Sequence, residues 1–215
     1  DDGNYLVSLS KGLCQFSLAT RVRSFFFSWV TYVRSINDNN YFTIFYQLIN
    51  KKEWNLIHNN MESLSGLADS REKAVYIIGT ASSIYCDAIG ISSDRYKTVL
   101  LQVMKTLKKK FPNDLIYYIP HRRDDASWIK DACDEVGIKY YKCESCIEID
   151  LIHRNASPIE IFGFSSTALI TLKRLFSKTK VTNLFIEGGC NKQGVKEYMS
   201  LVDDFIQLGI QTQKI

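Results

Sequence analysis

The chain has 215 residues, 46% of them hydrophobic, with 27 basic against 23 acidic side chains and a net charge of +4. That balance excludes collagen-like, mucin-like and wholly disordered classes, and a chain this long buries roughly 70% of the surface its unfolded form exposes. The basic excess is slight and no basic-aromatic sheet motif accompanies it, so no nucleic-acid partner is expected.

The chain opens on Asp1-Asp2-Gly3, and no signal or transit segment is legible. The run Phe25-Phe26-Phe27-Ser28-Trp29-Val30, flanked by Arg21, Arg23 and Arg34, is far shorter than the roughly 20 apolar residues a membrane span takes. It reads as one face of an amphipathic helix, with peripheral docking on the inner membrane or on a partner as the other reading. Stretches 21–33 and 41–54 resemble helices, and polar clusters at 35–40 and 58–70 break them. Residues 1–73 are therefore expected to form a helical connector. Six cysteines (14, 86, 133, 143, 146 and 190) are too sparse for a disulfide scaffold. Cys143-Glu-Ser-Cys146 lacks a second pair and a histidine at finger spacing, so reduced thiols in a cytoplasmic protein are expected.

From residue 74 the pattern becomes regular. Residues 74–78 form a short apolar, β-rich run ending at Gly79, which reads as a buried strand. Ser92 then caps a helix through Lys110, stopped by Pro112. A strand over 115–119 and a helix over 124–136, closed by Gly137, follow. Residues 138–141, 147–151 and 160–164 read as strands, 165–176 as a helix, 181–186 as the last strand and 194–208 as the last helix. This alternation predicts an α/β domain over 74–215: a Rossmann-like parallel sheet with helices on both faces.

Ligands of such sheets sit at the carboxyl ends of the strands. Four places there carry chemistry. Gly79-Thr80-Ala81-Ser82-Ser83 is a small, hydroxyl-rich loop that lets a ligand approach the backbone, although neither GxGxxG nor a Walker pattern occurs. His121 follows Pro120 beside Arg122 and Arg123, and is the one histidine of three at a predicted strand end. Glu148 lies within or after the strand at 147. Ser165-Ser166 open a helix, as a plain N-cap or as an anion site built from unpaired N–H groups and the helix dipole.

Taken together, Asp1-Asp2-Gly3, Gly79-Thr80, Tyr118-Ile119-Pro120-His121, Glu148 and Phe162-Gly163-Phe164-Ser165-Ser166 resemble the bacterial GT-B sialyltransferases, which include lipooligosaccharide sialyltransferases and capsule polysialyltransferases. That family is marked by an acidic pair followed by Gly, a His-Pro dipeptide and a Ser-Ser pair opening a helix. The order here agrees, with Arg122 standing where the family has Pro. The resemblance is good over 74–215 and thin over 4–73. It implies that the chain spans the domain junction and the nucleotide-binding half of a two-domain enzyme, without most of the acceptor half.

The resemblance also implies a mechanism. CMP-sialic acid is the donor, a sugar hydroxyl of a cell-surface glycan is the acceptor, and transfer inverts the anomeric carbon. Asp1 or Asp2 accepts the hydroxyl proton. His121, with Arg122 beside it, neutralises the departing phosphate, and Ser165 and Ser166 bind that phosphate. Glu148 suits ribose hydroxyls or the cytosine amino group, and Gly79 and Thr80 shape the nucleotide floor. No metal or other cofactor is called for, and the lysines of residues 105–110 with Arg122 and Arg123 could track a polyanionic acceptor. Two other readings compete: a nucleotide-binding module without catalysis, and a GT-B enzyme using a UDP- or GDP-sugar, for which Gly188-Gly189 is the one hint.

Overall fold

The computed structural model describes residues 72–124, 127–186 and 202–215, together with Met199 and the backbone of 40–43 and 55–58. The chain divides into two compact units, Asp1–Asn60 and Met61–Ile215. In the first unit, β1 (Asn40–Thr43) and β2 (Asn55–His58) pair in parallel, Asn40 opposite Asn55. The helix expected from residue 41 is thus corrected to strand at 41–43, where Tyr, Phe and Thr favour extended backbone. The remaining helical stretches expected before residue 72, with the aromatic run at 25–30, lie outside the described residues. The change of pattern at 73–74 falls inside β3 (Glu72–Ile78), in the second unit.

The second unit is a Rossmann-like α/β fold. Its strands are β3, β4 (Leu115–Ile119), β5 (Lys139–Tyr140), β6 (Ala156–Gly163), β7 (Lys180–Phe185) and β8 (Gln211–Lys214). They form one sheet in the order β5-β4-β3-β6-β7-β8, with every pairing parallel. Parallel neighbours need crossovers over a face of the sheet. Helices α1 (Ser82–Ile89) and α2 (Ser93–Lys110) join β3 to β4, and α3 (Ser127–Val136) joins β4 to β5. Helix α4 (Ile147–His153) leads into β6, and α5 (Ala168–Leu175) joins β6 to β7.

Alternating strand residues divide the core between the two faces. Val75, Ile77, Ile116, Tyr118, Phe162 and Leu184 pack with Ile89, Tyr96, Leu100, Met104, Ile129 and Cys133 of α1–α3. Across the sheet, α4 and α5 pack on each other and on β6, burying Leu151, Leu169, Leu172 and Leu175. Helix α2 follows its sequence closely. The Ser92 side chain accepts the Arg95 N–H at 3.2 Å, Asp94 sits in the first turn and Lys108, Lys109 and Lys110 in the last, matching the helix dipole at both ends. Gly90 (φ 66°) and Gly137 (φ 75°) close α1 and α3 in left-handed backbone.

Several expectations are corrected. Residues 147–151 are helical rather than extended: Ile149 is exposed, whereas Asp150 and Leu151 are buried. The chain must pass from β5, two strands to one side of β3, to β6 on the other, and a helix over the face achieves that. Ser82 and Ser83, read as the end of a loop, open α1, a helix through Ile89 that the sequence pattern did not mark. Helix α3 starts at Ser127 instead of residue 124, and α5 at Ala168 instead of 165. The strand at 181–186 is followed by another, β8, whose Gln-Thr-Gln-Lys sequence has no apolar residue and occupies a sheet edge. Of the expected last helix over 194–208, Met199 and residues 202–208 are described; Met199 and 202–207 are helical and Leu208 lies in the turn that follows. Among the described residues no helix is long and apolar enough to cross a membrane.

Candidate functional site

Strand order reverses at β3. The chain proceeds outward from β3 to β4 and β5, then returns to lay β6 against β3's other edge. Beyond the carboxyl ends of β3 and β6 lies the crevice where open α/β sheets bind ligands. Gly79-Thr80 leaves β3 at this point, Phe164-Ser165-Ser166 leaves β6, and Pro120-His121 leaves the adjacent β4.

Two glycines shape the crevice for packing reasons. A Cβ at Gly79 would lie 2.6 Å from Tyr118 Oη and 3.0 Å from the Ile119 carbonyl oxygen, so glycine here makes room for the tyrosine of β4. A Cβ at Gly163 would lie 3.0 Å from both the Ile78 carbonyl oxygen and Leu169 Cδ2. Its absence lets the start of α5 approach the end of β3.

The turn after β6 is held from below. Ser165 has φ 46°, a left-handed conformation that costs a non-glycine residue of order 1 kcal/mol. Its N–H donates to Oδ1 of Asn183 at 2.7 Å. Asn183 is fully buried, paired with Gly163 in the sheet, and its Nδ2 has no hydrogen-bond partner among the described residues. The N-cap of α5 is Thr167, whose side chain makes no capping bond, and the Leu169 and Ile170 N–H groups donate to the Ser166 and Thr167 carbonyls at 3.0 Å. Ser165 and Ser166 therefore precede the helix by two or more residues and do not cap it in the way their sequence position suggests. Their segment leads directly into the N-terminus of α5.

His121 is partly exposed in a turn whose Asp124 N–H donates to the His121 carbonyl at 2.9 Å. Its Nδ1 accepts the Arg123 N–H at 3.2 Å, so the neutral ring carries its proton on Nε2. Burial holds the imidazole below its ordinary pKa. Asp124 opposes that shift, and Arg122 and Arg123 reinforce it. Burial thus favours the neutral ring in the free protein. An anion placed against Nε2 would favour the charged form. Arg122 and Arg123 are exposed at this edge, whereas Lys108–Lys110 end α2 at the opposite edge of the sheet, from which β4 departs. Lys105 pairs with Glu135 at 2.7 Å, and Lys110 with Glu160 at 2.8 Å. The expected lysine–arginine track is therefore not assembled.

Glu148 occupies the first turn of α4 and hydrogen-bonds the Thr171 hydroxyl in the first turn of α5. Both helix N-termini lie at the carboxyl edge of the sheet, as parallel crossovers require, so Glu148 shares the edge of His121 and Ser165 despite its corrected secondary structure. Asp1 and Asp2 lie outside the described residues, as does Gly188-Gly189. Cys86, Cys133, Cys143 and Cys146 are free thiols, and burial pushes the Cys143 thiol up to about 12, with Asp150 adding to the shift. Among the described residues no three metal-ligating side chains gather.

Sequence reasoning missed two residues. Asn183 interrupts an apolar strand, and a polar residue inside such a run signals a buried partner. Asp124 was expected in the first turn of α3. It instead accepts the Ser82 N–H at 3.2 Å and the Ser82 hydroxyl at 2.5 Å, closing the N-terminus of α1.

Fold and site together define a Rossmann-like domain with Gly79-Thr80, His121, Glu148 and Ser165-Ser166 gathered at the carboxyl edge of its sheet around the topological switch point. No protein-family model matches the chain, and no curated protein matches it significantly.

Proposed function

We propose that this chain is the donor-binding half of a sialyltransferase, which transfers sialic acid from CMP-sialic acid to a sugar hydroxyl of a cell-surface glycan with inversion. One observation carries the reading. Segments far apart in sequence that bear the family-like residues, Gly79-Thr80, His121, Glu148 and Ser165-Ser166, come to one edge of one sheet around its switch point.

The chemistry assigned to each residue follows from its surroundings. The positive dipole end of α5 and the serine hydroxyls of the turn before it suit the CMP phosphate. Neutral His121 presents Nε2–H to a phosphate oxygen, and the imidazolium forms as charge grows on the departing group. Glu148, already an acceptor for Thr171, has further acceptor capacity for ribose or cytosine. Asp1 or Asp2 is the proposed base for the acceptor hydroxyl.

Calorimetric titration with CMP, with UDP and GDP as controls, tests the donor site. Cytidine-selective binding that His121→Ala or the double change Ser165→Ala and Ser166→Ala removes is the expected result. Equal or absent binding of all three nucleotides would overturn the reading. CMP binding without transfer, measured with Asp1 and Asp2 present and an acceptor-side domain supplied, would instead identify a binding module.

A further inference from the structure

Two helix N-termini lie at the carboxyl edge of the sheet, and a carboxylate from elsewhere in the fold closes one of them. At α1, which follows the first strand of the fold, Oδ1 of Asp124 takes both the N–H and the hydroxyl of Ser82, and its Oδ2 is buried without a hydrogen-bond partner. At α5 the N-cap Thr167 makes no side-chain capping bond, the Leu169 and Ile170 N–H groups donate to the Ser166 and Thr167 carbonyls at 3.0 Å, and beneath the entry turn the fully buried Asn183 amide has no partner for Nδ2 among the described residues. The N-terminus after the first strand is where doubly wound folds ordinarily seat a pyrophosphate.

We propose that Asp124 is a specificity residue that makes this crevice a one-phosphate site, admitting nucleoside monophosphates at α5 and rejecting diphosphates. The inference rests on the donor-site reading above. The argument is electrostatic. The Ser82 N–H and hydroxyl, which would receive a second phosphate, already donate to a carboxylate, and an approaching phosphate meets a like charge in a partly desolvated setting. Asp124 also belongs to the His121 turn, through its N–H to the His121 carbonyl. The loop that presents the imidazole to one phosphate therefore closes the seat of the other.

The test is titration of the full chain with CMP and with CDP, before and after Asp124→Asn. That change keeps an oxygen to accept from Ser82 and removes the charge. CMP should bind about tenfold more tightly than CDP to the unaltered chain, and the ratio should fall toward one in Asp124→Asn through a gain for CDP. Asp124→Ser, a neutral capping residue, should do the same and serves if the asparagine variant misfolds. CMP binding with a ratio that neither variant moves would overturn this inference alone. Failure of the unaltered chain to bind CMP would overturn the donor-site reading and this inference with it.

Discussion

Asn183 Oδ1 accepts the N–H of Ser165 at 2.7 Å, and through that bond a fully buried amide in β7 holds a serine after β6 in left-handed backbone. Two opposed outcomes follow. Asn183→Ala strands the Ser165 N–H and should cost about 1–3 kcal/mol in chemical denaturation. Ser165→Gly suits the same backbone and should be neutral or stabilising by about 1 kcal/mol. On the donor reading it should nonetheless weaken CMP binding, because the hydroxyl is lost. A glycine variant that binds CMP as well as the parent would leave Ser165 a purely conformational role.

Gly79 and Tyr118 make a second testable pair. Gly79→Ala should destabilise by about 1–3 kcal/mol, since its methyl group would meet Tyr118 Oη. Adding Tyr118→Phe removes the nearest atom and should recover part of the loss. The Ile119 carbonyl oxygen, 3.0 Å from the new carbon, keeps the recovery incomplete. Thermal unfolding of the two single variants and the double variant gives the coupling, and strict additivity would show that the tyrosine is not what demands glycine.

His121 sets a pH dependence of known sign. Its folded-state value lies below the ordinary value of about 6.5, chiefly through burial, so the unfolded chain binds the proton more readily. Stability should therefore decline as pH falls from about 6.5 to the folded-state value, and His121→Asn should remove that part of the decline. On the donor reading, CMP binding near neutral pH takes up a proton. Calorimetry in buffers of different ionisation enthalpy reads this uptake directly, and it should vanish in His121→Asn.

Arg154 clamps α4 to the sheet. Its guanidinium bonds both Glu72 carboxylate oxygens, at 2.8 and 3.0 Å, and lies over the rings of Tyr117 and Tyr141 at 4.6 and 4.2 Å. Arg154→Met should cost about 2 kcal/mol, and Arg154→Lys should restore little, since an ammonium can neither fork nor stack. Burial works to raise the Glu72 pKa, but Tyr117 and Arg154 bring it below the ordinary carboxylate value. The stability contributed by Glu72 is thus present above the carboxylate range and lost as pH falls through it, and urea midpoints should show a shallower acid loss in Arg154→Met.

The fold was legible where one local pattern suffices. Ala74–Ile78 and Leu115–Ile119 are buried apolar runs, and the Ser92 cap and lysine-rich end of α2 are written into adjacent residues. It was illegible where a partner distant in sequence decides. Ile147, Ile149 and Leu151 alternate like a strand, yet the crossover to β6 makes them helical. Strand β8 is polar because it is an edge. Of the site, His121 and the serine pair were visible as residue types at strand ends. The work done by Asn183 and Asp124 was not, because each acts on a backbone N–H eighteen or forty-two residues away.

The seam between β3 and β6 has a consequence for how the molecule is made. Glu72 and Arg154, which bridge it, are 82 positions apart in the chain. Loop closure over such a distance must precede any reward from pairing, whereas β3 and β4 can join through the nearer α1–α2 crossover. The crevice is bounded by one segment from each side of that seam. It does not exist in either half of the sheet alone, so during synthesis or refolding the residues of the site meet only once β3 and β6 have paired.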